Sequence, residues 1–247
     1  MGPPTGYLSA TRHPWPCLLF ILPMLLAYEK GVLTLGGAHP ETIRNGADHW
    51  LRCALLVVGV RFFWVPPLLL LLVFLVWTWQ RRSDRPTDLV GVLGGMVLES
   101  IAFALGLWAL SRVLAPLLIQ AAMGPAAAAG PPPAAAAGEP DLRQVVTYLG
   151  AGIYEEAIFR LALYASMAAV LRGLELSAVA AVVLSAGASA VLFSAAHHVG
   201  PYGQPYSNYL FLFRLVAGVY FAMLFQFRGF GVAVGAHACY NLMVSIA

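Results

Sequence analysis

The chain has 247 residues, of which 60% are hydrophobic and only 10% charged, and its mean hydropathy is +0.79. A soluble domain carries roughly 25% charged residues, so this balance excludes a soluble globular protein and describes a polytopic membrane protein. The net charge of +3 is small, and most arginines sit near the ends of apolar segments where headgroups lie, so no nucleic-acid partner is expected.

Apolar runs of span length occur at about 15–35, 62–79, 89–119, 145–171, 177–199, 209–227 and 230–247, each near the ~20 residues that cross the hydrocarbon core. The fold expected is therefore all-α, a transmembrane helical bundle of about seven spans. Arg12 and His13 precede the first run, but that run is interrupted by Pro23 and ends at Glu29-Lys30 without a small-residue cleavage pattern, so it reads as a retained span. From Ile43 to Val60, Arg44, Asp48, His49 and Arg52 alternate with Ile43, Ala47, Leu51 and Leu55 in a helical rhythm. This stretch reads as an interfacial or re-entrant amphipathic helix, with an eighth span as the alternative.

From Gln120 to Pro140 the composition shifts to Ala, Gly and Pro around Pro131-Pro132-Pro133, as in an extramembrane linker. The chain thus divides into an amino-terminal transmembrane region (1–119), a linker (120–144) and a carboxy-terminal transmembrane core (145–247). Arg12, Arg81, Arg82, Arg85, Arg172 and Arg228 fall on the side of the amino terminus, against Lys30, Arg44, Arg52, Arg61 and Arg143 opposite, which favours a cytoplasmic amino terminus and an outward linker. Cys17, Cys53 and Cys239 stand singly in or beside apolar segments and read as buried, inert thiols.

The informative stretch is Tyr-Glu-Glu-Ala-Ile-Phe-Arg at 154–160, which sets Glu155, Glu156 and Arg160 inside an apolar run. Each charge costs roughly 2.5–3.5 kcal/mol at the bilayer centre unless it is paired or hydrated. Glu156 and Arg160, at i and i+4, can pair; Glu155 points about 100° away and is free to face a cavity. Two later spans carry Phe193-Ser-Ala-Ala-His197 and His237-Ala-Cys-Tyr-Asn241, each again a pair one turn apart. Glu155 and His237 both lie about ten residues, or about 15 Å, from the linker side, and His197 lies near it, so one cavity can hold the set. Such a set suits hydrolysis: Glu155 and His197 activate a water, and His237 with the Asn241 amide offers donors to an oxyanion.

Glu-Glu-x-x-x-Arg, Phe-x-x-x-His and His-x-x-x-Asn, in this order on separate spans, resemble the three motifs of the CPBP family, the intramembrane proteases that include the type II CAAX prenyl endopeptidases. The resemblance covers roughly residues 145–247 and implies catalytic roles for Glu155, His197, His237 and Asn241. Glu156, Arg160 and Phe193 would support them, and the partners implied are the lipid bilayer and a peptide substrate cut near its surface. No cofactor is expected; if a metal such as zinc is bound, Glu155, His197 and His237 are its ligands.

The alternative function is a non-catalytic protein on the same scaffold, a bacteriocin-immunity or channel-like factor. The Ala, Gly, Pro and Arg content suggests a bacterial plasma membrane. Glu99 and Arg214, also expensive at depth, are expected to pair with each other or to line the substrate path, and His198 to meet headgroups at its helix end.

Overall fold

The computed structural model of the chain describes residues 6–123, 141–200 and 203–246, and the secondary-structure elements among them are all helical. A single turn, α1 (Tyr7–Ala10), leads into α2 (Pro14–Gly36). Pro14 takes the first helical position, where its missing N–H is harmless, and His13 Nδ1 accepts the Trp15 amide at 3.1 Å. There follow α3 (Gly46–Val57), α4 (Val65–Gln80) and α5 (Leu89–Met123). α6 (Leu142–Gly150) opens on a reciprocal cap in which Asp141 accepts the Gln144 amide at 2.8 Å and Gln144 accepts the Asp141 amide at 3.2 Å. Two π-helical stretches, Ala151–Glu155 and Ala157–Tyr164, carry the chain on into α7 (Ala165–Gly173). α8 (Ala178–Ala196), α9 (Asn208–Arg228) and α10 (Phe230–Ile246) complete the bundle.

These helices follow the apolar runs of the sequence, with α6 to α7 forming the fourth. Four of them, α2, α5, α8 and α9, are long and apolar enough to cross a membrane unaided, and α4 and α10 are shorter apolar helices. The protein is an integral-membrane helical bundle. Residues such as Leu68, Leu72 and Val76 on α4 and Leu98, Ile101 and Leu105 on α5 turn outward, as a lipid-facing surface requires. α3 is no eighth span: its 12 residues reach about 18 Å, and its first turn is buried in the protein at Ala47 and Asp48. α5 continues to Met123 and α6 starts at Leu142, so helix takes up both ends of the stretch read as a linker, while residues 124–140 lie outside those described.

α10 is the centre of the packing. Every residue from Phe230 to Ala238 is buried, and the helix touches α2, α5, α6, α9 and the first π-helical stretch. Its small residues allow this: a Cβ on Gly152 would lie 2.8 Å from the Val234 carbonyl oxygen and 3.0 Å from Ala238 Cβ, so only glycine lets the π-helical stretch come this close. Gly229, at φ +91°, makes the tight corner from α9 into α10.

Two expectations are corrected. Glu99 pairs with Arg228 at the end of α9, with Nη2 2.7 Å from each carboxylate oxygen, because the corner at Gly229 brings that residue beside α5; Arg214, four turns earlier on α9, lies elsewhere. Cys53 is exposed, on the outer face of α3, while Cys17 is buried and Cys239 half-buried.

Candidate active site

Glu155 and Glu156 sit where the two π-helical stretches meet. π-helical turns close hydrogen bonds to i+5 and recur as local widenings at functional sites. Both carboxylates are buried, and their neighbours differ. Glu156 is fully buried between two partners: Arg160 Nε lies 3.2 Å from its Oε2, and His237 Nδ1 lies 2.8 Å from its Oε1. Arg160 is also fully buried, donates to the Gly218 carbonyl at 3.2 Å, and stacks its guanidinium over Phe193 and Phe221 at 4.4 and 5.6 Å from the ring centres. The pair expected from helical spacing is therefore present. Its carboxylate has a further task in holding a site histidine.

Glu155 faces the other way. Its Oε2 lies 3.7 Å from His197 Nε2 and 3.7 Å from His237 Nε2, and among the described residues no group hydrogen-bonds to that buried oxygen. His197 caps the end of α8, where its Nδ1 meets the Phe193 carbonyl at 2.8 Å and the Phe193 ring packs edge-on at 4.8 Å. The His237 ring stacks on Phe221 at 4.5 Å. A carbonyl or carboxylate oxygen only accepts, so both Nδ1 atoms carry the proton and both Nε2 lone pairs point toward Glu155 Oε2. Three acceptor atoms on three helices thus converge on one point.

Glu155, His197, His237 and Asn241 all line one cavity of ≈ 400 Å³, with Arg214 and Tyr148 in its wall. Glu155 and His197 also border a second cavity of ≈ 110 Å³ on the side of α3. Each sequence-predicted site residue is accordingly in or directly behind one centre. His198 turns from it, with Nδ1 3.1 Å from the Gln204 carbonyl and its ring against Tyr206 and Phe211. Two further polar residues stand at the centre: Asn45, whose place helical spacing in the later spans could not reveal, and Arg214, expected to pair with Glu99 or to line the substrate path, which lines the cavity. Asn45, just before α3, donates from Nδ2 to Glu155 Oε1 at 2.9 Å. Arg214 on α9 donates to Gln204 Oε1 at 2.5 Å and leaves Nη1 without a hydrogen-bond partner.

Replacing Arg160 by Met strands the Glu156 charge, and Glu156→Gln strands that of Arg160, a loss of roughly 3–5 kcal/mol for a buried pair. The melting temperature in detergent is expected to fall in each single variant. Two variants of unchanged melting temperature but no activity would place the pair in the chemistry and not in its support.

Residues 141–243 match the family model described as type II CAAX prenyl endopeptidase Rce1-like. The match runs from the Asp141 cap to just beyond Asn241, so it contains Glu155, Glu156, Arg160, Phe193, His197 and His237, while α1 to α5 lie outside it. No curated protein and no solved structure matches the chain. The match, and a centre in which the paired glutamates meet both motif histidines, agree: residues 141–243 of this chain are similar to the type II CAAX prenyl endopeptidase Rce1-like family.

Proposed function

We propose that the protein is an intramembrane endopeptidase that hydrolyses a peptide bond near the membrane surface with a water activated by Glu155 and His197. The observation that carries this reading is the Glu155 oxygen, buried and 3.7 Å from each imidazole nitrogen. That distance is too long for a direct hydrogen bond and suits a water between the groups, which needs two to four polar partners. Such a water gives its hydrogens to Glu155 Oε2 and His197 Nε2 and turns its lone pair to the substrate carbonyl. On attack one proton passes to Glu155, the C–O bond forms, and the carbonyl oxygen becomes an oxyanion. Asn241, and His237 when its Nε2 is protonated, donate to that oxygen, with the Glu156 carboxylate balancing the imidazolium. Collapse breaks the C–N bond and returns the proton from Glu155 to the leaving amine, so the products are an acid and an amine.

Glu155, His197 and His237 are also the donors this chain offers to zinc, which would supply Lewis acidity to the same water. The reading favoured here is a metal-free centre, in which Glu155 itself takes the proton of the attacking water. The test uses the purified protein in detergent with farnesylated CAAX-type, leader-type and sorting-tail peptides. Glu155→Gln, which keeps the volume and removes the base, is expected to lower turnover at least ~100-fold. A phenanthroline-treated wild-type enzyme is expected to keep its activity. Near-normal turnover of Glu155→Gln would refute the assignment of the base, and loss of activity on chelation, restored by zinc, would refute the metal-free centre.

Arg214 favours a substrate that brings a carboxylate into the cavity, because its guanidinium faces Glu155 across the wall yet forms no ion pair within 4.0 Å. A charge-assisted hydrogen bond contributes about 1.5–3 kcal/mol, or roughly 10- to 100-fold in binding. Arg214→Met is thus expected to raise KM by about that factor for a peptide with a free carboxy terminus and to leave its amide unchanged. Equal effects on acid and amide would remove Arg214 from recognition.

A further inference from the structure

We infer that Asn45, from the amino-terminal half and outside the family-matched residues, is a positioning residue that fixes the Glu155 carboxylate for attack; the inference rests on the reading of Glu155 as the base. Asn45 is 8% exposed, and its side chain and backbone N–H make three directed hydrogen bonds. Its side-chain oxygen caps α3 by accepting the Ala47 amide at 2.8 Å, and its Nδ2 donates to Glu155 Oε1 at 2.9 Å. The two bonds settle the orientation of the amide, since Ala47 N–H only donates and an ionised carboxylate only accepts. The third runs from the Asn45 backbone N–H to the Tyr28 hydroxyl at 3.2 Å, and that hydroxyl donates on to Asp48 at 2.9 Å.

What holds Asn45 is a closed and neutral cluster of charges. Asp48 pairs with Arg44 and with Arg52, the latter at 2.8 Å, and Glu29 lies 3.6 and 3.5 Å from the same two guanidiniums. Both guanidiniums lie over the Phe63 ring, at 4.6 and 5.1 Å. Glu29 also accepts from the Tyr154 hydroxyl at 2.7 Å, which ties the cluster to the residue before Glu155. The catalytic carboxylate is therefore gripped from the α3 side twice, once through its own oxygen and once through its neighbour. With Oε1 engaged by Asn45, the carboxylate plane cannot turn, and Oε2 stays between the two imidazoles. A reacting group moved by about 1 Å loses on the order of 100-fold in rate.

The cap and the clamp are separable by substitution, because Asp and Ser cap helices as well as Asn does. Asn45→Ser keeps the cap and is too short to reach Glu155; Asn45→Asp keeps the cap and replaces the donor by an acceptor. If Asn45 positions Glu155, both variants lose about 10- to 100-fold in kcat, Asp more than Ser, with KM within about twofold of wild type; Ser keeps the wild-type melting temperature, whereas Asp, which sets a second carboxylate against Glu155, lowers it. Wild-type kcat per folded molecule in Asn45→Ser would overturn the inference, as would a loss confined to the folded fraction. Glu155→Gln measured alongside separates the two levels. If it is inactive while Asn45→Ser is fully active, Glu155 remains the base and the clamp is wrong; if it is active, the reading of Glu155 itself fails.

Discussion

Two adjacent carboxylates are buried within a membrane-spanning bundle, and much of the structure of the site answers the problem they pose. An unpaired charge in a low-dielectric interior costs several kcal/mol, so each glutamate needs its own partners. Successive residues on a helix point in different directions, and this sends Glu156 to Arg160 and His237 and Glu155 to Asn45 and the cavity. Glu156 takes a hydrogen bond from His237 on Oε1, while Oε2 has the Arg160 charge at 3.2 Å as an ion pair and no hydrogen bond. Glu155 is held on one oxygen only, and the other is left to face two imidazoles. The division between a carboxylate paired inside the protein and one that faces the cavity is thus a consequence of adjacency.

The close approach of α10 makes this geometry possible. His237 reaches Glu156 because the π-helical stretch runs against α10 at Gly152, where any side chain would collide with the Val234 carbonyl. Phe221 and Phe193 then wedge the rings: one stacks on His237 and the other packs against His197, and both lie over the Arg160 guanidinium. Aromatic faces in this place serve the ion pair and the two histidines at once, which explains what a phenylalanine one turn before His197 does beside the paired glutamates.

The later spans were legible in the sequence because their apolar runs are long and the polar exceptions fall at i and i+4, the one spacing that reports a shared helix face. Glu156, Arg160, His197, His237 and Asn241 stand out this way, and Glu155 as the carboxylate beside a pair that leaves it without a partner one turn away. Asn45 does not, because its partner is 110 residues away and it sits in a capping position where asparagine is common for purely local reasons. The charges around it show in the sequence as an amphipathic pattern, but Arg44 and Asp48 are buried, Arg52 and Glu29 are partly so, and the four neutralise one another within the protein. Glu99 was misassigned for a related reason: Arg214 and Arg228 are equally distant possibilities by composition, and only the corner at Gly229 decides between them. Pairing across helices is a tertiary fact that periodicity along one helix does not contain.

The central claim is that Glu155 Oε2 and His197 Nε2 together hold the attacking water, with His237 beside it as a donor to the oxyanion. An experimental structure of the wild-type protein in a lipid environment, at a resolution that shows ordered solvent, tests this most directly. The account predicts a water within about 3.2 Å of the Glu155 oxygen and of at least one imidazole nitrogen, with Glu155 Oε1 still bonded to Asn45. A Glu155 side chain turned out of the cavity, or a metal ion ligated by the three residues in place of the water, would contradict it.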